Sequence, residues 1–139
     1  IICGEGPEKE KLMLQAKDCK NIKFVNYNIS KKELLDLYSR CLATIYIPKD
    51  EDFGFIPVES MASGKPCIGA NEGGLKETII HGKTGFLINP TVNNLIKTIK
   101  HLTPEKAEKM KKDCIKRAKE FDISVFYKKW ETYLKTIGD

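Results

Sequence analysis

Glu51-Asp52-Phe53-Gly54-Phe55-Ile56-Pro57-Val58-Glu59-Ser60-Met61-Ala62-Ser63-Gly64-Lys65-Pro66 is the stretch from which the rest of the chain can be read. Leu42 to Ile47, just before it, is apolar and β-branched, the pattern of a buried strand. Pro48 ends that strand, and an acidic, glycine-containing loop follows over 49–55. Pro57 suits the first turn of a helix, where a missing N–H costs nothing. Val58 to Ser63 continue the helix and Gly64 stops it. The order is therefore strand, glycine loop, helix start, with a carboxylate on each side. Free N–H groups at a helix start make an anion site. Glu51 and Glu59 beside it are hydroxyl acceptors. An anion with a hydroxyl-binding carboxylate on either side matches a nucleoside diphosphate with a sugar at each end.

Working outward, the same alternation repeats. Ile1 to Cys3 reads as a strand that ends in Gly4-Glu5-Gly6-Pro7, with a helix from Pro7 to about Lys17 and Leu12, Ala16 and Cys19 inside. Ile22 to Val25 is the next strand, with Asn26-Tyr27-Asn28 as its exit. Ser30 and Glu33 form a capping box, opening a helix that carries Leu34, Leu35, Leu37, Tyr38 and Cys41. Downstream come a strand at Cys67–Ala70, the pair Gly73-Gly74, a helix over 75–80, a tight turn at His81–Gly85 and a strand at Phe86–Ile88. Helices follow over 92–102, from Pro104 to about Glu120, and from about Ser124 with Phe126, Trp130, Tyr133, Leu134 and Ile137 on one side. This βα alternation with short connections predicts a Rossmann-like parallel sheet with helices on both faces and the C-terminal helices packed outside. Ligands of such sheets bind beyond the carboxyl ends of the strands. The Gly4–Gly6 turn, the 49–55 loop and Gly73-Gly74 all fall at such ends.

The totals narrow the class. At 139 residues the chain is one domain or part of one. It opens on what reads as a strand already under way, so the expectation is an N-terminally truncated fragment, 1–139, of a longer protein. No apolar run approaches the ~20 residues of a membrane span. Cys3, Cys19, Cys41, Cys67 and Cys114 are scattered, odd in number and without a CxxC. They argue for small buried residues in a reducing compartment and against disulfides or a zinc site. The net charge of +5 is uneven: residues 1–90 hold 12 Lys/Arg against 12 Asp/Glu, and residues 91–139 hold 12 against 7. A neutral first part with no basic–aromatic interleaving disfavours nucleic acid.

The ordered motifs resemble those of a known family. Glu51-x₇-Glu59 in its setting closely resembles the EX₇E signature of retaining family-4 glycosyltransferases. Gly73-Gly74-Leu75-Lys76-Glu77 resembles that family's GG-x-x-E turn. His81-Gly82-Lys83-Thr84-Gly85-Phe86-Leu87 resembles its DG-x-TG turn and strand, and Gly4-Glu5-Gly6-Pro7 its G-D/E-GP turn. The resemblance implies one half of a GT-B architecture, the C-terminal donor-binding domain, with a missing N-terminal acceptor domain as partner. It marks Glu51 as the catalytic carboxylate, accepting from donor-sugar hydroxyls. Phe53, Gly54 and Phe55 would line the sugar and diphosphate, Val58 would offer a helix-start N–H to phosphate, and Glu59 would grip the ribose. Gly4 and Gly6 would lie along the donor. The implied reaction moves a hexosyl group from a UDP- or GDP-sugar to a hydroxyl with retention, in the intact protein and not in this fragment alone. No metal or other cofactor is expected, because the resembled family works without a divalent metal, although Asp50-Glu51-Asp52 has Asp-x-Asp spacing.

Plainer readings stand beside these. Glu51 is also a plausible solvated loop acid, and Glu59 a helix-start carboxylate favoured by the dipole. Glu77 reads equally as a cap, and His81 better as a turn residue than as a base. The cationic face Lys106, Lys109, Lys112, Lys116 and Lys119 reads as a solvated surface, with docking on acidic lipid headgroups as its rival. The expected location is cytoplasmic, with peripheral contact at the inner membrane face if the basic helices dock. A sugar-nucleotide epimerase or a phosphorylase on the same architecture, and a non-catalytic nucleotide-binding or assembly module, remain as alternatives.

Overall fold

A computed structural model describes residues 1–26 and 28–137; Tyr27, in the expected exit loop, lies outside the described residues. The chain divides into two compact units, Ile1–Asp36 and Leu37–Asp139.

The first unit holds β1 (Ile2–Cys3), α1 (Lys9–Gln15) and β2 (Phe24–Val25), and α2 (Lys31–Arg40) begins in it. The two strands pair in parallel, Ile2 opposite Phe24 and Cys3 opposite Val25. The capping box forms as expected. The Glu33 N–H donates to Ser30 Oγ at 3.2 Å, and the Ser30 N–H donates back to the Glu33 carboxylate at 2.7 Å. Other expectations need correction here. α1 starts at Lys9 behind Glu8 rather than at Pro7, and it ends at Gln15 rather than near Lys17 and buries no residue. Leu12, expected inside, is exposed, as are Cys3 and Cys19. A two-residue ladder offers too little apolar surface to cover a helix.

The second unit contains β3 (Thr44–Tyr46), α3 (Phe55–Ala62), β4 (Cys67–Ala70), α4 (Leu75–Thr78), β5 (Gly85–Ile88), α5 (Val92–His101), α6 (Pro104–Lys119) and α7 (Ile123–Ile137). Its strands form a parallel sheet in the order β3-β4-β5. Thr44 lies opposite Cys67 and Cys67 opposite Gly85. The central strand is buried along its whole length, as a parallel strand covered on both faces must be. On one face Ile68 joins Met61 of α3 and Met110, Cys114 and Ala118 of α6 in the core. On the other, Gly69 leaves room for α4 and the residue that ends it, since a Cβ there would come within 2.6 Å of the Ile79 side chain. Deep burial of such side chains stabilises by about 1.5–3 kcal/mol each, so β4 is the centre of the unit.

α6 follows its sequence pattern closely. Thr103 caps it, Pro104 opens it, and Ala107, Met110, Cys114 and Ala118 are its buried stripe. α7 has the expected apolar face, but it buries none of it. Phe126, Trp130, Tyr133, Leu134 and Ile137 are all about half exposed, their rings stacking edge-on along the helix. Cys67 and Cys114 are the two cysteines that match the expectation of burial, and Cys41 is half-buried. Burial pushes the Cys67 thiol up to about 11 and the Cys114 thiol up to about 12, so both stay protonated and inert. Among the described residues no helix is long and apolar enough to cross a membrane.

Candidate donor-binding site

β3 and β4 are parallel neighbours, so the loops leaving their carboxyl ends emerge side by side. The structure joins them directly. The Gly74 N–H donates to the Glu51 carbonyl at 3.0 Å. The contact demands glycine on the β4 side. A Cβ at Gly74 would lie 2.2 Å from the Asp52 carbonyl oxygen, and one at Gly73 would lie 2.2 Å from that of Glu51. The Gly73-Gly74 pair thus serves as the seat on which the Glu51 loop rests.

Within the loop, the Glu51 side chain turns back on its own backbone. One carboxylate oxygen accepts the N–H groups of Gly54 at 2.9 Å and Phe53 at 3.4 Å. The other accepts the Tyr46 hydroxyl at 2.5 Å. These donors, Tyr46 first, hold the Glu51 carboxyl below its ordinary value. The same bond and burial push the Tyr46 phenol up to about 12.

This arrangement moves the start of α3. Sequence reading places Pro57 at the first helical position, but the helix begins at Phe55, with Gly54 as its cap at φ 82°. No side chain caps the helix, and Glu51, three residues upstream of Gly54, accepts the Gly54 and Phe53 N–H groups of the loop just before it. Pro57 is the third helical residue and still costs no hydrogen bond. Val58 is the fourth, one turn inside the helix. The N–H groups of Phe55 and Ile56 are therefore the helix-start donors without an intrahelical acceptor.

Glu59 stands one turn further on. Its side chain is exposed and accepts the Tyr38 hydroxyl at 2.8 Å. Tyr38 is buried at 9% exposure. Burial first, and the Glu59 carboxylate second, push its phenol well above the usual range. α3 is locked to β3 beneath by Thr44, whose hydroxyl donates to Ser60 Oγ at 2.8 Å.

The structure brings Glu51, Phe53, Gly54, Phe55, Val58 and Glu59 together on one loop and helix start. Gly4 and Gly6 belong to the first unit, where the Gly6 carbonyl accepts the Lys9 N–H at the head of α1. Phe55 is 71% exposed, whereas the half-buried Phe53 ring packs edge-on against Phe121 at 5.6 Å. His81 acts in its turn, its Nδ1 accepting the Leu87 N–H at 3.1 Å. Glu77 is exposed on α4. Among the described residues, no three His, Cys, Asp or Glu side chains cluster as a metal site would.

Sequence reading missed Tyr38 and Tyr46 because both sit inside apolar runs and count there as core. A signal existed: a buried tyrosine hydroxyl needs an acceptor, and both residues precede the acidic stretch by a short distance.

Residues 1–121 match the family model described as glycosyl transferases group 1. The chain belongs to this family. The group 1 domain is 47% identical over 70 residues to the alpha-1,3/1,6-mannosyltransferase ALG2 of Dictyostelium discoideum; the match takes in 50% of this chain and 16% of that protein. Among solved structures it superposes on sucrose-phosphate synthase from Thermosynechococcus elongatus with a TM-score of 0.80 and 24% identity, over 96% of this chain and 37% of that one. It also superposes on the Anabaena protein HepE in complex with UDP-glucose, with a TM-score of 0.71 and 23% identity, over 96% of this chain and 40% of that one. The chain thus spans about a sixth of the curated relative. Its fold is that of a GT-B glycosyltransferase domain, with parallel sheets and flanking helices.

Proposed function

We propose that this domain holds the donor of a glycosyl transfer, a nucleoside diphosphate sugar. In the intact protein the reaction moves a hexosyl group from a UDP- or GDP-linked donor to an acceptor hydroxyl with retention, the chemistry of family-4 enzymes. The observation that carries the reading is the pair of tyrosine-held carboxylates flanking an open helix start. Glu59 takes the ribose diol, because a carboxylate is acceptor-only and can receive two vicinal hydroxyls. Glu51 takes a hydroxyl of the transferred sugar on its remaining acceptor capacity. The Phe55 and Ile56 N–H groups and the helix dipole face the diphosphate.

Charge builds on the diphosphate as the sugar leaves. Donors fixed in advance by α3 stabilise that charge without reorganising, which lowers the barrier to departure. In this reading the backbone donors do the work of a divalent cation, so a chelator leaves donor binding unchanged. The mannosyltransferase name of one relative and the UDP-glucose held by one structural neighbour support a hexosyl nucleotide as the ligand class.

Calorimetric titration of the intact protein with UDP, GDP, ADP and their sugar conjugates tests the proposal. Selective binding is expected, weakened by about 1–3 kcal/mol in Glu59→Ala, the scale of hydrogen bonds to a charged group. Equal affinity in a folded Glu59→Ala protein would sink the assignment.

A further inference from the structure

We infer that Tyr38 and Tyr46 are a matched pair of positioning residues, each fixing one carboxylate of the donor site. The inference rests on the donor-site reading above and adds to it what holds the acids in place.

Glu59 rides on the outer face of α3 with an exposed side chain. A free glutamate there would sample several rotamers, and binding would have to order it. Tyr38 removes that freedom. Its ring is buried and rests on two torsions only, so its hydroxyl is a fixed point. From that point it donates to Oε2 of Glu59 at 2.8 Å. Among the described residues Tyr38 is the donor to this carboxylate, which leaves it acceptor capacity for a ligand.

Tyr46 repeats the device from the end of β3. Its hydroxyl donates to Oε2 of Glu51, while Gly54 and Phe53 donate to Oε1. The two tyrosines come from different elements, α2 and β3, yet each hydroxyl meets one of the two acids. Core packing alone does not require this, since a phenylalanine would fill either ring site. The hydroxyls are the part of these side chains that packing leaves unexplained.

The test uses Tyr38→Phe and Tyr46→Phe in the intact protein, titrated with a nucleoside diphosphate and with its sugar conjugate. Thermal melts confirm that each variant is folded. Tyr38→Phe is expected to weaken both ligands about five- to tenfold, the loss of a charge-assisted hydrogen bond's ordering. Tyr46→Phe is expected to weaken the sugar conjugate and leave the bare diphosphate unchanged. A merely structural loss would not separate the two ligands. The Tyr38→Phe effect should also vanish in a Glu59→Ala background, since the hydroxyl acts only through that carboxylate.

An undiminished Tyr38→Phe penalty in that background overturns the inference while leaving the donor site intact. So does wild-type affinity in Tyr38→Phe alongside a weakened Glu59→Ala. Wild-type affinity in Glu59→Ala itself overturns the donor-site reading, and this inference with it. If Tyr38→Phe does not fold, the Tyr46→Phe ligand selectivity decides alone.

Discussion

Glu51 and Glu59 bracket the same helix start, and each accepts a tyrosine hydroxyl. Beyond that their surroundings differ. Glu51 is half-buried in its loop and receives two backbone N–H groups in addition to Tyr46. Its backbone carbonyl is held by Gly74 as well. Glu59 is exposed, and Tyr38 is its hydrogen-bond partner among the described residues. A carboxylate offers about four acceptor positions. Glu51 has most of them filled by the protein, whereas Glu59 keeps most of them open. The first acid therefore shapes the site as well as facing it, and the second is free to spend its capacity on a ligand.

The most disruptive way to break this contrast leaves both acids untouched. In Gly74→Ala the new Cβ meets the Asp52 carbonyl and the Phe53 backbone, neither of which is a flexible side-chain end. The loop must lift from its seat and carry Glu51 with it. We expect a stability loss of about 3 kcal/mol and loss of donor binding, read by chemical denaturation and calorimetry. Glu59 should stay in place, so any residual affinity should still depend on it.

A direct comparison is the next largest effect. Glu51→Ala strips the acceptor from Tyr46 and from the Gly54 N–H at once. It should lower both the melting temperature and the affinity for the sugar conjugate, the latter at least about tenfold. Glu59→Ala should lower affinity with little change in melting, because water replaces its exposed carboxylate at the Tyr38 hydroxyl. Equal melting temperatures for the two variants would show that Glu51 has no greater role in shaping its loop.

The smallest effect concerns acid. Glu51 sits below its ordinary value chiefly through Tyr46. Its stabilising contribution is complete above the unfolded carboxyl value, about 4.3. It is lost as the pH falls through the lower folded value. Tyr46→Phe raises the folded value toward the ordinary one, so the contribution disappears at a higher pH than in the parent. Melting curves taken between about pH 3 and pH 6 should keep a constant offset at the neutral end and draw together as the pH falls, because both proteins lose the contribution in acid. Parallel curves throughout would mean that the backbone N–H groups alone set the Glu51 carboxyl.

Much of this was legible in the sequence where the determinants are local. The Ser30–Glu33 box needs only three residues of separation, and it forms. The buried stripe of α6 follows from helical spacing, and β4 from a short apolar run between Pro66 and the glycine pair. The six candidate donor-site positions in the second unit were readable as one motif because they lie within nine residues. Burial in the first unit was not readable. A helical stripe reports that a face is apolar, not that anything covers it, and the exposed faces of α1 and α7 show the difference.

The amino-acid order by itself determined the βα alternation, the glycine loop between two carboxylates, and the family. These depend on periodicity and on side-chain types a few residues apart. Only the tertiary structure decided where α3 begins, because Glu51 gathers the loop N–H groups just before it and Gly74 holds Glu51. It also decided which oxygens of the two acids remain open, because Tyr38 reaches Glu59 across 21 positions. Hydrogen bonds between distant residues form where the packed sheet places them, and no local pattern encodes that placement.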